Sequence, residues 1–187
     1  MKNQLLIIAA LESELKHEFL PHGVKIAYSG IGKINAALTT LKAAQEFQPK
    51  RILNFGTAGK VNPSVQGLLE IARVIQRDMQ TEPLAPRGKT PFCPRPFEYF
   101  SLGGNYVCGT GDSFVTAHDP WLHTQRVDVV DMELFAIAAV AYQLNIPWQA
   151  YKYITDNANK DAGKDWGEKV NHGQELFLEK LSEIVKD

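Results

Sequence analysis

With 187 residues, 44% of them hydrophobic and 22% charged, the chain has the length for one sizeable core, and a single domain spanning 1–187 is expected. Lys and Arg (20) balance Asp and Glu (21), with no basic run interleaved with aromatics, which argues against a nucleic acid partner and for a small, roughly neutral ligand. The apolar run QLLIIAAL is too short to cross a membrane, and Cys93 and Cys108 have neither disulfide nor metal-ligand spacing, so no membrane role, no metal site and a cytoplasmic setting are expected.

In chain order, QLLIIAAL reads as a strand followed by a helix through Glu18. VKIAYSG reads as a second strand, Lys33 to Phe47 as a helix and RILNFGTAG as a third strand. EIARVIQRD and NYVCGTGDSFV are two further β-rich runs. Between them, Thr81 to Phe97 is rich in proline and long for a bare connection; a lid, a dimer arm and an ordered surface loop all fit it. The stretch VVDMELFAIAAVAYQLNIP, Val129 to Pro147, has no charge from Leu134 to Leu144 and no clean polar face, which predicts a helix buried on most sides. WQAYKYITD is a further strand. An amphipathic helix from about Trp166 to Val185 closes the chain, with Val170, Leu176, Phe177, Leu181 and Ile184 on one side. The alternation predicts an α/β domain with a mixed, largely parallel central sheet flanked by helices on both faces.

In open α/β sheets ligands bind beyond the carboxyl ends of the strands. That rule selects Leu11 to Glu14 after the first strand, Ser29 to Gly32 after the second, Gly56 to Gly59 at the third, Gly111 to Val115 after a later one and Thr155 to Asn157 after the last. Three carboxylates from separate elements, Glu14, Glu133 and Asp156, could share one crevice. Each has an ordinary reading as well. GIGKIN begins like a dinucleotide fingerprint but has Asn35 where the third glycine belongs, so it reads as a close helix–strand turn or a backbone wall against a ligand. GTAG suits a tight turn as readily as a ligand contact. Glu14 and Asp156, taken singly, suit a helix dipole and a turn. Asp131 suits an acidic helix cap, whereas Glu133 lies further into a buried helix, where an ionised group needs a partner to offset its desolvation. A ligand is one such partner.

Taken together and in order, ALESEL, SGIGK, NFGTAG, GTGDSFV, VVDME and ITDNAN resemble the purine nucleoside phosphorylase and nucleosidase superfamily. The likeness is greatest to the bacterial 5′-methylthioadenosine/S-adenosylhomocysteine nucleosidases and runs along nearly the whole chain. It implies a nucleoside phosphorylase-like fold and cleavage of the N-glycosidic bond of a purine nucleoside without metal or organic cofactor. By position, Asp156 matches the general acid that delivers a proton toward N7 of the purine. Glu133 matches the acceptor of the ribose 2′- and 3′-hydroxyls, with Met132 packed on the sugar, and Glu14 matches the acid that polarises the attacking water. Phe114 would stack on the base, backbone groups of Val115 would read its edge, and Ile31 would form an apolar wall. Thr57, with Ala58 and Gly59 beside it, stands where the family usually has Ser, near sugar and water.

The chain also departs from the family pattern. Only Pro21 to Gly23 links the first helix to the SGIGK strand, where the family has a hairpin, and Leu134-Phe135 replaces a pair of small residues. TPFCPRPF resembles the segment that one family protomer donates to its partner, which implies a homodimer with Pro91 to Phe97 near the interface. The loop Leu11-Glu12-Ser13-Glu14 has no glycine and two acids, a poor seat for a phosphate dianion, with Lys33 and Arg51 the cations placed to offset it. Hydrolysis is therefore the expected reaction, with phosphorolysis and nucleoside binding without turnover as the alternatives.

Overall fold

The computed structural model describes residues 4–186, and everything below concerns these. The first strand, β1 (Leu5–Ala9), shows why the sheet is covered on both sides. Leu6 and Ile8 point into a core with Ala36 and Ala44 of α1 (Lys33–Phe47) and Leu134 and Ile137 of α3 (Leu134–Gln143). Leu5 and Ile7 point the other way, into a core with Phe177, Leu181 and Ile184 of α5 (Gln174–Ile184). A strand whose alternate residues are all apolar has no solvent face to offer, so helices must cover both. Phe177 stacks on Phe55 at 4.4 Å between ring centroids, and burying one such ring contributes about 2–3 kcal/mol.

The remaining strands are β2 (Lys25–Tyr28), β3 (Arg51–Lys60), β4 (Leu68–Gln76), β5 (Glu98–Phe100), β6 (Tyr106–Thr110), β7 (Val129–Asp131) and β8 (Trp148–Asp156). They form one sheet in the order β2-β1-β3-β7-β6-β4-β5, with β8 paired to both β3 and β4. Because β8 joins β3 to β4, the strands β3, β7, β6, β4 and β8 close into a ring, a distorted barrel with β1 and β2 as a parallel extension. The β3–β8 pairing is parallel, as are β1–β2, β1–β3, β4–β6 and β6–β7; only β3–β7, β4–β5 and β4–β8 are antiparallel. The sheet is mixed and largely parallel, as expected.

Three expectations need correction. No helix follows β1: residues 11–20 turn tightly with one 3-10 turn at His17–Phe19. There the Glu14 carboxylate folds back to accept the N–H groups of Ala10 and Leu11, which fixes the chain in a tight turn. The buried helix starts later than predicted, because Val129 and Val130 are β-branched and pair with β6 and β3 as the short strand β7. The closing helix is two, α4 (Ala162–Lys169) and α5, broken where the backbone of Gly173 lies directly on Tyr153; a Cβ there would come within 2.4 Å of the tyrosine Cβ. Residues 77–97 contain no helix or strand, and the short α2 (Pro120–Thr124), capped by Asp119, was not anticipated.

Candidate active site

The strand ends deliver the site. Glu14, Ile31, Thr57, Ala58, Gly59, Phe114, Val115, Met132, Glu133 and Asp156 all line one cavity that opens to solvent. They come from the carboxyl ends of β1, β2, β3, β6, β7 and β8. All ten residues singled out from the sequence thus line it together.

Glu14 is buried, and its carboxylate accepts four hydrogen bonds. Ala10 and Leu11 donate their N–H groups to Oε2, and the Thr57 N–H (3.0 Å) and hydroxyl (2.9 Å) donate to Oε1. The close approach needs Gly56, whose absent Cβ would sit 3.5 Å from Oε1 and 3.2 Å from Lys152 Nζ. Glu133 opens α3, and its Oε1 accepts the Gly32 N–H at 3.0 Å, tying the SGIGK turn to the cavity. Gly32 takes φ 99°, a conformation that favours glycine. Burial, then the negative charge of Asp131, pushes the Glu133 carboxyl up to about 7. Asp156 is also raised, chiefly by burial, against the hydrogen bonds that the Ala158 N–H and the Thr155 hydroxyl donate to it. A carboxyl raised in this way holds its proton more readily than an exposed one.

Beneath these lies an ion pair that sequence reasoning missed. Lys152, 1% exposed, places Nζ 2.7 Å from Asp131 Oδ2. Asp131 also accepts the Leu134 N–H (2.8 Å), the Thr110 hydroxyl (2.5 Å) and the Cys108 thiol (3.3 Å). It ends β7 and is not the helix cap that the sequence suggested; the N-cap of α3 is Glu133, which was expected further in. From the strand end the Asp131 carboxylate accepts the N–H groups of Glu133 and Leu134 and also neutralises a buried cation. Burial alone would raise the Asp131 carboxyl, yet Lys152 holds it below the ordinary range, while Asp131 and Glu133 together keep Lys152 charged.

Arg77 and Trp166 also line the cavity and were not anticipated. Arg77 follows β4 directly, so the strand-end rule could have found it had that strand been included. Its guanidinium donates to the carbonyl oxygens of Gly109, Gly111 and Ser113 and to the Ser113 hydroxyl. Trp166 stands on the polar helix α4, ten positions past Asp156, where no local pattern marked it. The two cations named from the sequence lie elsewhere. Lys33 pairs with Asp78 at 2.6 Å, and Arg51, at the amino end of β3, donates to the Gln149 side chain. Among the described residues, no group of three or more His, Cys, Asp or Glu side chains is arranged to hold a metal ion. No helix among them is long and apolar enough to cross a membrane.

Residues 21–187 match the family model of the phosphorylase superfamily. The chain is similar to the 5′-methylthioadenosine/S-adenosylhomocysteine nucleosidase of Listeria monocytogenes, 32% identical over 87% of this chain and 81% of that protein. It is also similar to that of Anoxybacillus flavithermus, 28% identical over 87% of this chain and 82% of that protein. Its fold superposes on a Helicobacter pylori nucleosidase crystallised with 5′-methylthioadenosine in its active site, with a TM-score of 0.89 at 21% identity, covering 100% of this chain and 99% of that one. A nucleosidase structure from S. pneumoniae with a transition-state inhibitor aligns at TM-score 0.78 and 26% identity, covering 92% and 93% of the two chains.

Proposed function

The chain belongs to the phosphorylase superfamily, and on that premise we propose that it is a purine nucleosidase, hydrolysing the N-glycosidic bond of a 5′-methylthioadenosine- or S-adenosylhomocysteine-like nucleoside. The observation that carries the reading is the convergence of Glu14, Glu133 and Asp156, from three distant parts of the chain, on one cavity.

Cleavage of this bond passes through a ribosyl cation-like state, so a site must protonate the departing base, stabilise positive charge on the sugar and present a nucleophile. Asp156, with its raised affinity for a proton, protonates N7 as the C–N bond breaks. Glu133 accepts from the ribose hydroxyls, and its charge favours the cationic sugar. Glu14, held by four donors, orients the water that attacks the anomeric carbon. Phe114 stacks on the purine, with Val115, Ile31, Ala58 and Gly59 walling the base and Met132 packing on the ribose.

Water rather than phosphate is the favoured nucleophile on electrostatic grounds. Lys152, beneath the cavity, is neutralised by Asp131, and the Arg77 guanidinium at its wall already commits its donors to carbonyl groups and Ser113, so a phosphate dianion would meet the Glu14 and Glu133 carboxyl groups with no free donor fork to bind it.

One domain over 1–187, acting as a homodimer in the cytoplasm, completes the proposal. Phe92 in the proline-rich segment is 93% exposed and Phe97 is also exposed, which supports an apolar interface near Pro91 to Phe97. The free thiols Cys93 and Cys108 suit a reducing compartment.

The test is a panel of 5′-substituted purine nucleosides, with and without phosphate, followed by chromatography of the free base and sugar. Free ribose derivative irrespective of phosphate is expected. A ribose 1-phosphate product would make it a phosphorylase, and micromolar binding without base release would make it a binding protein. Asp156→Asn and Glu14→Gln should each lower kcat by roughly 10²–10⁴-fold; full rate in both would refute the assigned roles.

A further inference from the structure

The hydrogen bonds around Glu14 lead to Trp166, a residue given no part in the reaction above. Of the four donors to the carboxylate, three are main-chain N–H groups whose directions are set by the ends of β1 and β3. The fourth, the Thr57 hydroxyl, is a rotor with one proton and two lone pairs. Trp166 sets that rotor, because its Nε1–H donates to Thr57 Oγ1 at 2.9 Å. An indole N–H can only donate, so the threonine oxygen must turn a lone pair toward it, and the hydroxyl proton is left for Glu14 Oε1. Core packing does not explain a tryptophan here. The helix α4 reads AGKDWGEK and buries only Ala162, and the indole stands at the cavity edge, 6.4 Å from the Phe114 ring.

We infer that Trp166 is a positioning residue for Glu14, acting through the Thr57 hydroxyl; this rests on the reading that Glu14 orients the attacking water. With the indole in place, each carboxylate oxygen carries two donors, and the group is held in one orientation toward the cavity. Without it the hydroxyl is free to swing into the cavity, Oε1 keeps a single fixed donor, and the water loses its defined acceptor. Two groups 109 positions apart thereby act as one unit with the base.

The test is a double-mutant cycle, with methylthioadenosine as the probe substrate. Trp166→Phe keeps a ring and removes the N–H, while Thr57→Val keeps the shape and removes the hydroxyl. Trp166→Phe should lower kcat roughly fivefold, the rate equivalent of one net hydrogen bond, with KM nearly unchanged. In the Thr57→Val background the same change should cost nothing further, and in the Thr57→Ser background, where a hydroxyl remains, it should again cost the full factor. The cycle is read in parallel by thermal unfolding, which needs no turnover. Each single change should lower Tm by about 2–4 °C, and the double change by no more than the larger single one. Effects that multiply in kcat and add in Tm would overturn the inference, as would an effect carried wholly by KM, which would make Trp166 a substrate contact. A protein that released no base but kept the non-additive Tm pattern would sink the nucleosidase reading and with it the role at Glu14, and leave only the Trp166–Thr57 linkage standing.

Discussion

Replacing Lys152 by methionine isolates the buried ion pair on which the acidic site rests. The substitution keeps an unbranched side chain of similar length and leaves Asp131, whose side chain is fully enclosed, without its cation 2.7 Å away. Removing one partner of a buried pair costs roughly 3–5 kcal/mol, since the remaining charge stays desolvated. The lower end applies here, because Asp131 keeps its hydrogen bonds from Thr110, Leu134 and Cys108. For a chain of this length about 3 kcal/mol is a fall of roughly 6–12 °C in Tm. Measured by circular dichroism, the loss should be larger at pH 8 than at pH 5, because the orphaned Asp131 escapes part of the penalty by taking up a proton. Asp131→Asn added to Lys152→Met should restore part of the lost stability. A single variant within about 1 kcal/mol of the parent at pH 8, or losses that simply add in the double variant, would refute the account of this pair.

Gly59→Ala should disable the acid without unfolding the chain. The new Cβ would lie 2.4 Å from Asp156 Oδ1, so the carboxyl tip must move, and kcat should fall at least about 100-fold while Tm changes by only a few degrees. The free protein should lose stability as pH rises from about 4.5 to about 7. A carboxyl whose folded pKa is raised, as for Glu133, favours folding fully below its unfolded pKa, and that advantage is gone above about 7. The displacement corresponds to roughly 3 kcal/mol at most, and Asp156, also raised, acts with the same sign. Urea titrations across that range check it, and Glu133→Gln should flatten the slope. Over the same range kcat/KM should rise with pH, because only the ionised Glu133 accepts both ribose hydroxyls.

Much of the fold follows from neighbours two to four positions apart. The alternation of Leu5 to Ile8, the Ala36, Thr40 and Ala44 spacing in α1, and the glycines at the ends of β2 and β3 carry their own instructions, and the strand-end rule led to the segments that hold Glu14, Thr57 and Asp156, while Met132 was reached only through the family resemblance. What tertiary structure alone decided depends on register between distant strands. The insertion of β8 between β3 and β4 closes the ring and sets Lys152 opposite Gly56 and within reach of Asp131, although nothing near Lys152 in sequence distinguishes it from a surface lysine. The same packing breaks the last helix at Gly173, turns Arg77 onto carbonyl groups and carries the Trp166 indole to Thr57. Periodicity encodes which face of an element is apolar; which polar groups meet beneath that face is determined only when the sheet closes and each buried charge must find a partner.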